Sequence, residues 1–200
     1  QQAKTLAATR IAEAPTVDGL LSENIWETLP PADDFTLIWP ATRSGMKIPE
    51  GYETTAYIAY NEKAIYVGAK LLHPNPSLMP KEFSERDKIW DVNAETFFVS
   101  INTYNDDLNF FSFQVTSAGT IGDSYSSGPI QGVDYNYDTV YDAKINHVAN
   151  GWTLEMIIPY SAIRFPKKDP QLWGINFGRK VEEFDAVSYT HLRAHETFGY

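Results

Sequence analysis

Apolar and polar residues alternate along much of the chain, and short turn signals interrupt the alternation. A period of two places successive side chains on opposite faces of an extended backbone, so the pattern predicts β-strands. Asn150 and Gly151 both tolerate positive φ, which favours a tight hairpin between two of these strands. Many short antiparallel strands predict an all-β fold, an antiparallel two-sheet β-sandwich. The predicted strands are residues 54–60, 64–72, 95–103, 108–117, 120–124, 140–148, 152–158 and 173–180.

Helix is predicted only in one or two short pieces. Ser22 can cap a helix over residues 23–28, where acidic residues occupy the first turn. A single turn is predicted at residues 160–163, directly after Pro159. Loops rich in Gly, Pro, Ser and Asp are expected to gather at the ends of the sandwich, and they are residues 40–53, 73–90 and 122–138.

Charge and cysteine content exclude several classes of protein. Lys and Arg number 16 against 26 Asp and Glu, a net charge of -10. This balance argues against nucleic acid or an anionic membrane as a partner, because both need basic surfaces. The absence of cysteine excludes disulfides and thiolate zinc sites. No apolar run reaches the roughly 18 residues that a membrane helix needs.

We expect three parts in this 200-residue chain. Residues 1–8 are an N-terminal extension of a mature chain, residues 9–181 form the sandwich domain, and residues 182–200 form a tail. The tail shows neither alternation nor turn signals, and residues 187–197 resemble a peptide that recurs when sequencing-adapter DNA is translated in frame. It is therefore expected to be non-native or the start of a truncated next domain.

The sequence offers little for catalysis. It contains no phosphate-binding glycine loop, nucleophile elbow or zinc-protease helix. Glycoside hydrolysis needs two carboxylates about 5–10 Å apart, and the candidates on or beside strands are Glu95, Asp123 and Glu155. A structural alternative pairs Glu155 with Lys144 across the hairpin. No catalytic residue is assigned, and the domain is not expected to be an enzyme.

The aromatic residues, 14% of the chain, fall into two groups. Three are expected in the core: Trp26, Trp152 and Trp173. Five others lie in predicted loops with polar neighbours: Trp39, Trp90, Tyr125, Tyr135 and Tyr137. An exposed ring stacks on the apolar C–H face of a pyranose while nearby polar groups bind its hydroxyls. The alternative is that these rings fold back over the ends of the sandwich.

Trp90 is the strongest candidate for sugar stacking because charged residues surround it, namely Arg86, Asp87 and Asp91. Arg86 and Asp123 are predicted to bind sugar hydroxyls by hydrogen bonds.

Two acidic turns, residues 105–107 and 134–138, offer the hard oxygen ligands that calcium prefers. Asp106 and Asp107 are the predicted ligands of a structural calcium ion, and the alternative is a solvated turn without EF-hand spacing. No cofactor is expected to be required.

Five segments, in order, resemble motifs of the family 9 carbohydrate-binding modules. They are Pro15-Thr16-Val17-Asp18-Gly19-Leu20 with Trp26, the hairpin of residues 57–72 (with AIYVGAKL), residues 95–101, residues 151–155 followed by Ile158-Pro159-Tyr160, and residues 173–177. The resemblance covers about residues 9–181. It implies a jelly-roll-like sandwich, sugar binding, calcium stabilisation in some members, and attachment to polysaccharide-degrading enzymes such as xylanases. In the sugar-binding members two Trp residues clamp the terminal sugar; Trp90 is the candidate for one position, and the second lies among Trp39, Tyr125 and Tyr137.

Four further segments are similar to the N-terminal module of large bacterial envelope proteins, and they are residues 84–87, 121–123, 164–166 and 174–180. In those proteins a family-9-like module precedes a long β-rich region, an outer-membrane barrel. The resemblance implies an exported bacterial protein of the periplasm, outer membrane or cell surface. It also implies a C-terminal β-barrel of the same parent protein as a partner.

The leading hypothesis is a non-catalytic module that binds an oligo- or polysaccharide of the xylan or cellulose type and serves carbohydrate catabolism. Two alternatives remain open. One is a structural envelope domain docked on its barrel without sugar binding, and the other is a glycoside hydrolase.

Overall fold

A computed structural model describes residues 4–128 and 132–196. Thirteen strands are present in this part of the chain, together with one helix, α1 (Asn24–Thr28). The strands are β1 (Lys4–Ala7), β2 (Thr9–Arg10), β3 (Thr36–Trp39), β4 (Thr54–Tyr60), β5 (Ala64–Leu72), β6 (Thr96–Asn102), β7 (Asn109–Thr116), β8 (Ile121–Ser127), β9 (Val133–Asp134), β10 (Asp142–Val148), β11 (Gly151–Pro159), β12 (Gln171–Val181) and β13 (Ala186–Glu196). No helix among the described residues has the length and apolar content required to span a bilayer.

The strands form two sheets, so the predicted two-sheet sandwich is confirmed. The larger sheet has eight strands in the order β1-β13-β12-β6-β7-β8-β9, with β3 also paired to β13. The smaller sheet has five strands in the order β10-β11-β5-β4-β2. Most neighbours are antiparallel, but β1 runs parallel to β13 and β2 runs parallel to β4.

The core lies between the two sheets and follows the alternation in the sequence. Phe97, Val99 and Ile101 of β6 are fully buried, as are Trp152 and the alternate residues after it in β11. Trp152 and Trp173 belong to this core, as predicted. Trp26 is also buried, but it belongs to α1 and packs on the outer face of the five-stranded sheet.

The structure places part of the expected tail inside the sandwich. Residues 186–196 form β13, which pairs with β12 along eleven consecutive residues and also pairs with β1 and β3. The domain boundary expected at residue 181 and the extension expected at residues 1–8 therefore both differ from the observed sheet. Alternation did not reveal β13 because Ser188 and Thr190 are polar residues at buried positions.

Glu155 explains the Asp-Gly motif near the N-terminus. Its Oε2 accepts hydrogen bonds from the amides of Asp18 (2.9 Å) and Gly19 (2.8 Å), and its Oε1 accepts one from Trp26 Nε1 (2.8 Å). A side chain at Gly19 would lie 2.7 Å from the Ile145 carbonyl carbon, so glycine is required for this close approach. Glu155 thus fastens the N-terminal loop to the outer face of the five-stranded sheet.

Lys144 is the cross-strand neighbour of Glu155, as the hairpin predicts. The predicted ion pair is wrong, because the Lys144 ammonium binds Asp142 instead and the Glu155 carboxylate is buried under the loop. Burial raises the pKa of Glu155, against the effect of the hydrogen bonds from Asp18 and Gly19. The helix cap also differs from the prediction, since Glu23 occupies the cap position and makes no side-chain capping bond.

A buried ion pair within the eight-stranded sheet contacts the five-stranded sheet at one end of the core. Arg179 of β12 has no exposed surface and donates to Glu95 Oε2 at 2.7 Å. Its guanidinium also donates to the carbonyls of Tyr52 (2.9 Å) and Leu72 (2.8 Å). Trp152 Nε1 donates to the same Glu95 oxygen at 3.0 Å. Burial lowers the pKa of Arg179, while the charge of Glu95 opposes that effect.

Candidate functional site

Three aromatic rings form a continuous row on the outer face of the eight-stranded sheet, and we call Trp90, Phe98 and Tyr189 the aromatic row. The Trp90 ring lies 6.0 Å from the Phe98 ring, and the Phe98 ring lies 5.0 Å from the Tyr189 ring. Both contacts are edge-to-face, an arrangement that stabilises aromatic pairs. Trp90 is partly buried, and its indole Nε1 is shielded from solvent.

The register of the sheet creates this row. Gly178 of β12 is paired with Phe98 on one side and with Tyr189 on the other. A side chain at Gly178 would lie 2.1 Å from the tip of the Phe98 ring, so the ring occupies the space that the glycine leaves free. Cross-strand neighbours project to the same face of a sheet. The row therefore depends on β6, β12 and β13 together.

Lys180 lies beside the aromatic row. Its Nζ is 6.0 Å from the centre of the Trp90 ring, within cation–π range, and it also forms an ion pair with Glu182. Trp39 lies on β3, where it pairs with Val187 of β13 at a β-bulge between Val187 and Ser188. Trp39 is 52% exposed.

A floor of small polar residues borders the aromatic row. Ser100 and Ser112 are cross-strand neighbours with their hydroxyl oxygens 2.7 Å apart. Gln114 Nε2 donates to the hydroxyl of Ser124 at 3.1 Å. Ser100, Gln114 and Ser124 are buried, with 8%, 3% and 4% exposure. Residues 87–89 cover this part of the face, since a side chain at the neighbouring Gly122 would lie 3.3 Å from Asp87 and Ile89.

Tyr125 and Tyr137 lie elsewhere, in a second concavity of about 290 Å³ that we call the tyrosine pocket. Its lining residues are Tyr104, Asn109, Phe111, Tyr125, Tyr137 and Arg164. The Tyr125 and Tyr137 rings are 6.0 Å apart, and both contact the Phe111 ring at 5.0 and 5.7 Å. Tyr135 is exposed on the neighbouring turn and does not line the pocket. The predicted aromatic set is therefore divided between two places.

Arg86 and Asp123, predicted to bind sugar hydroxyls, bind each other instead. Arg86 Nη2 donates to Asp123 Oδ1 at 2.5 Å and to the Thr139 carbonyl at 2.7 Å. The other carboxylate oxygen of Asp123 accepts the Thr139 amide at 2.8 Å, and the Asp123 side chain has no exposed surface. Burial raises the pKa of Asp123, and the Arg86 charge acts against that increase. This pair holds residues 138–139 against β8 and presents no free carboxylate to a ligand.

Asp106 stabilises the turn in which calcium was predicted. Its carboxylate accepts hydrogen bonds from the amides of Leu108 and Asn109, each at 3.0 Å. Burial acts to raise the pKa of Asp106, but these hydrogen bonds outweigh it and lower the pKa to about 2. Asp107 is exposed in the same turn. Residues 4–128 and 132–196 contain no group of three or more His, Asp or Glu side chains placed to hold a metal ion, and calcium binding by Asp106 and Asp107 stays a prediction.

Three carboxylates are considered for glycoside hydrolysis. Asp123 is paired with Arg86, while Glu95 and Glu155 lie against opposite faces of the five-stranded sheet. Glu95 is fully buried at the inner face, where it binds Arg179 and Trp152. Glu155 is buried at the outer face under the N-terminal loop. They do not flank a common cleft, so the geometry that a pair of acid and base carboxylates requires is missing for this pair.

Sequence reasoning did not find Phe98, Lys180 or Tyr189 at the first surface, nor Tyr104 or Arg164 in the tyrosine pocket. Phe98 lies between the inward residues of a predicted strand, so its ring points to the outer face. An aromatic residue at such a position is a signal that the outer face is not a simple solvent-exposed surface. Tyr189 lay in the segment that was excluded from the domain. Arg164 was part of a motif that carried only the family resemblance.

Comparison with solved structures identifies the fold. A family 9 carbohydrate-binding module from Caldicellulosiruptor kristjanssonii, solved with cellotriose, superposes with a TM-score of 0.66 at 11% identity, covering 98% of this chain and 95% of its own. A family 9 module from the same organism, solved with glucose, gives 0.64 at 11% identity, with 98% of each chain covered. A candidate carbohydrate-binding protein from Bacteroides uniformis gives 0.66 at 13% identity, covering 97% of this chain and 99% of its own.

No protein-family model matches the sequence, and no curated protein matches it significantly. At identities this low, the structural likeness establishes the fold. The chain has the β-sandwich fold of family 9 carbohydrate-binding modules, and the resemblance seen in the sequence is confirmed at this level.

Proposed function

We propose that this chain is a non-catalytic carbohydrate-binding module whose aromatic row binds a pyranose residue. The observation that carries the proposal is the partly exposed Trp90 ring, held edge-on by Phe98 within a fold whose relatives were solved with cellotriose and glucose. The ring stacks on the apolar face of the sugar, and no covalent or proton-transfer step is involved.

The surroundings of Trp90 supply the remaining contacts. The Lys180 ammonium, which pairs with Glu182, lies next to the Trp90 ring and keeps further N–H donors for sugar hydroxyls. Trp39, exposed on β3, is the proposed second aromatic residue of the site. Rings and short side chains that are already fixed lose little conformational entropy when a ligand binds. This favours the affinity of the aromatic row for a sugar.

We further propose a β-linked glucose or xylose polymer as the ligand, since structurally similar modules were solved with cellotriose and with glucose. The proposal has two further parts. The protein is exported to the periplasm, outer membrane or cell surface, and the same parent protein contains a C-terminal barrel. Their support is the similarity of residues 84–87, 121–123, 164–166 and 174–180 to modules of bacterial envelope proteins.

Calorimetric titration with cello- and xylo-oligosaccharides tests the binding proposal. Loss of one stacking ring corresponds to about 1.4 kcal/mol or more, a factor of ten in Kd. We therefore expect Trp90→Ala to weaken binding at least about tenfold and Trp90→Phe to retain part of the affinity. Tyr135→Ala is the matched control, because Tyr135 is an exposed aromatic residue outside both concavities. Wild-type affinity in Trp90→Ala, or no binding of either sugar series by the wild-type chain, would contradict the proposal.

A further inference from the structure

The tyrosine pocket is separate from the aromatic row and has its own chemistry. Phe111 is its floor, with 3% exposure, and the rings of Tyr125 and Tyr137 stand on it at an interplanar angle of 40° to each other. Tyr104, 42% exposed, is at the rim. A volume of about 290 Å³ is close to the lower end of the range for small-molecule pockets. The pocket therefore accommodates one sugar-sized ring.

The two tyrosines are held in fixed orientations. Tyr125 donates its hydroxyl proton to Asn109 Oδ1 at 2.6 Å, and Tyr137 donates its own to the Ala162 carbonyl at 2.5 Å. Asn109 is itself held by Asp106. Both phenol oxygens therefore keep lone pairs that can accept hydrogen bonds from a ligand. Both rings are preorganised as stacking surfaces, so binding orders little of the pocket.

Arg164 provides the charge. Its side chain is exposed and lines the pocket. Among the described residues the structure shows no carboxylate paired with Arg164, whereas Arg10, Arg86 and Arg179 each have such a partner. The chain has a net charge of -10, so a positive charge beside aromatic rings stands out. An anionic group on a ligand would complement the Arg164 charge. The planar guanidinium fork matches a carboxylate in a bidentate manner.

These features select one class of ligand. A cage of aromatic rings alone would suit a quaternary ammonium group, but Arg164 repels a cation. A ring with an apolar face, hydroxyls that donate to phenol oxygens and one carboxylate satisfies all the groups of the pocket. We propose that the tyrosine pocket binds a uronic acid residue, a hexopyranose with a carboxylate at C5, at a site distinct from the aromatic row.

Titration of the full chain with glucuronate, followed by calorimetry and by the NMR signals of the tyrosine rings, tests the proposal. We expect glucuronate to shift the ring signals of Tyr125 and Tyr137. We expect glucose to bind this pocket at least about tenfold more weakly, because it lacks the charge-assisted hydrogen bonds to Arg164. Arg164→Gln should lower the glucuronate affinity at least about tenfold, and Arg164→Lys should restore part of it. Raising the salt concentration should weaken glucuronate binding.

Two controls separate this site from others. Arg43→Gln removes an exposed arginine elsewhere and should leave glucuronate binding unchanged. Trp90→Ala should leave the glucuronate-induced shifts of the Tyr125 and Tyr137 ring signals unchanged, so a failure of the sugar site at the aromatic row and a failure of this proposal are distinguishable. Equal affinity of wild type and Arg164→Gln for glucuronate would overturn the proposal. Benzoate binding as tightly as glucuronate would overturn the assignment to a sugar, because benzoate has the ring and the carboxylate but no hydroxyls.

Discussion

Arg179 is a buried charge at one end of the core. The free energy of keeping this charge away from water depends on one carboxylate, that of Glu95. Its guanidinium lies between Glu95 and the carbonyls of Tyr52 and Leu72. Two of these partners belong to the segments around β4 and β5, so one side chain links the two sheets. A buried ion pair of this kind contributes less through its own attraction than through the cost of breaking it.

Removing the Glu95 charge is therefore expected to be costly. Glu95→Gln keeps the size of the side chain but leaves the Arg179 charge buried without its counterion, which should destabilise the fold by about 3–5 kcal/mol. Urea denaturation followed by far-UV circular dichroism measures the loss. The control is Glu62→Gln, which breaks the exposed pair with Arg10 and should leave the midpoint nearly unchanged. Equal midpoints for the two variants would show that the buried pair is not needed.

At the scale of elements, β12 fills the core with one face and positions the aromatic row with the other, because its side chains alternate between the two faces of the sheet. Its inward residues Trp173, Ile175 and Phe177 fill the core, while its outward residues include two glycines. One of these, Gly178, accommodates the Phe98 ring and so determines where the aromatic row lies. A strand that appears unremarkable in sequence thereby positions the candidate sugar site.

Gly178→Ala tests this role of β12. The added methyl group meets the Phe98 ring and has to displace it, and with it the contacts to Trp90 and Tyr189. We expect saccharide affinity to fall about tenfold and the fold to lose about 1–3 kcal/mol from overpacking. Gly174→Ala is the matched control, because it lies on the same face of the same strand and its methyl group would remain 3.3 Å from Asn102. If both variants bind sugar like the wild type, the position of Phe98 does not matter for binding.

At the scale of the whole molecule, β13 holds the edge of the larger sheet together. It pairs with β12, β1 and β3, so it gives three elements their main-chain hydrogen-bond partners. Without it, the long strand β12 would become an exposed edge, which favours aggregation. Tyr189 would be lost from the aromatic row as well.

A chain that ends after residue 181 is thus expected to unfold at a clearly lower temperature or to aggregate. Circular dichroism melting and size-exclusion chromatography of the shortened chain measure both effects. The physical reason is the loss of an eleven-residue ladder on β12 and of the partners of β1 and β3. Cooperative melting at the wild-type temperature would instead place the end of the domain at residue 181.

Much of the sandwich was predictable because period-two patterns depend only on local chemistry. The strands at residues 54–60 and 64–72 agree with β4 and β5 to the residue. The site was less predictable, since alternation reports which face a side chain occupies but not which strands become neighbours. Trp90 and Trp39 were identified by their polar surroundings, yet Phe98 and Tyr189 join them only through the order β13-β12-β6. The same limit explains why Tyr125 and Tyr137 were grouped with Trp90, although they lie at a different concavity.

The parallel pairing of β1 with β13 has a mechanical consequence. Lys4 lies opposite Leu192 and Ala7 lies opposite His195, so the first and last described strands run side by side in the same direction. A tensile load applied between these two strands would pull them along their length and strain all of their hydrogen bonds at once, instead of opening them one by one. Forced unfolding is governed by the rate at which such a barrier is crossed. The topology therefore gives this sandwich a load-bearing, shear-type geometry at its terminal strands.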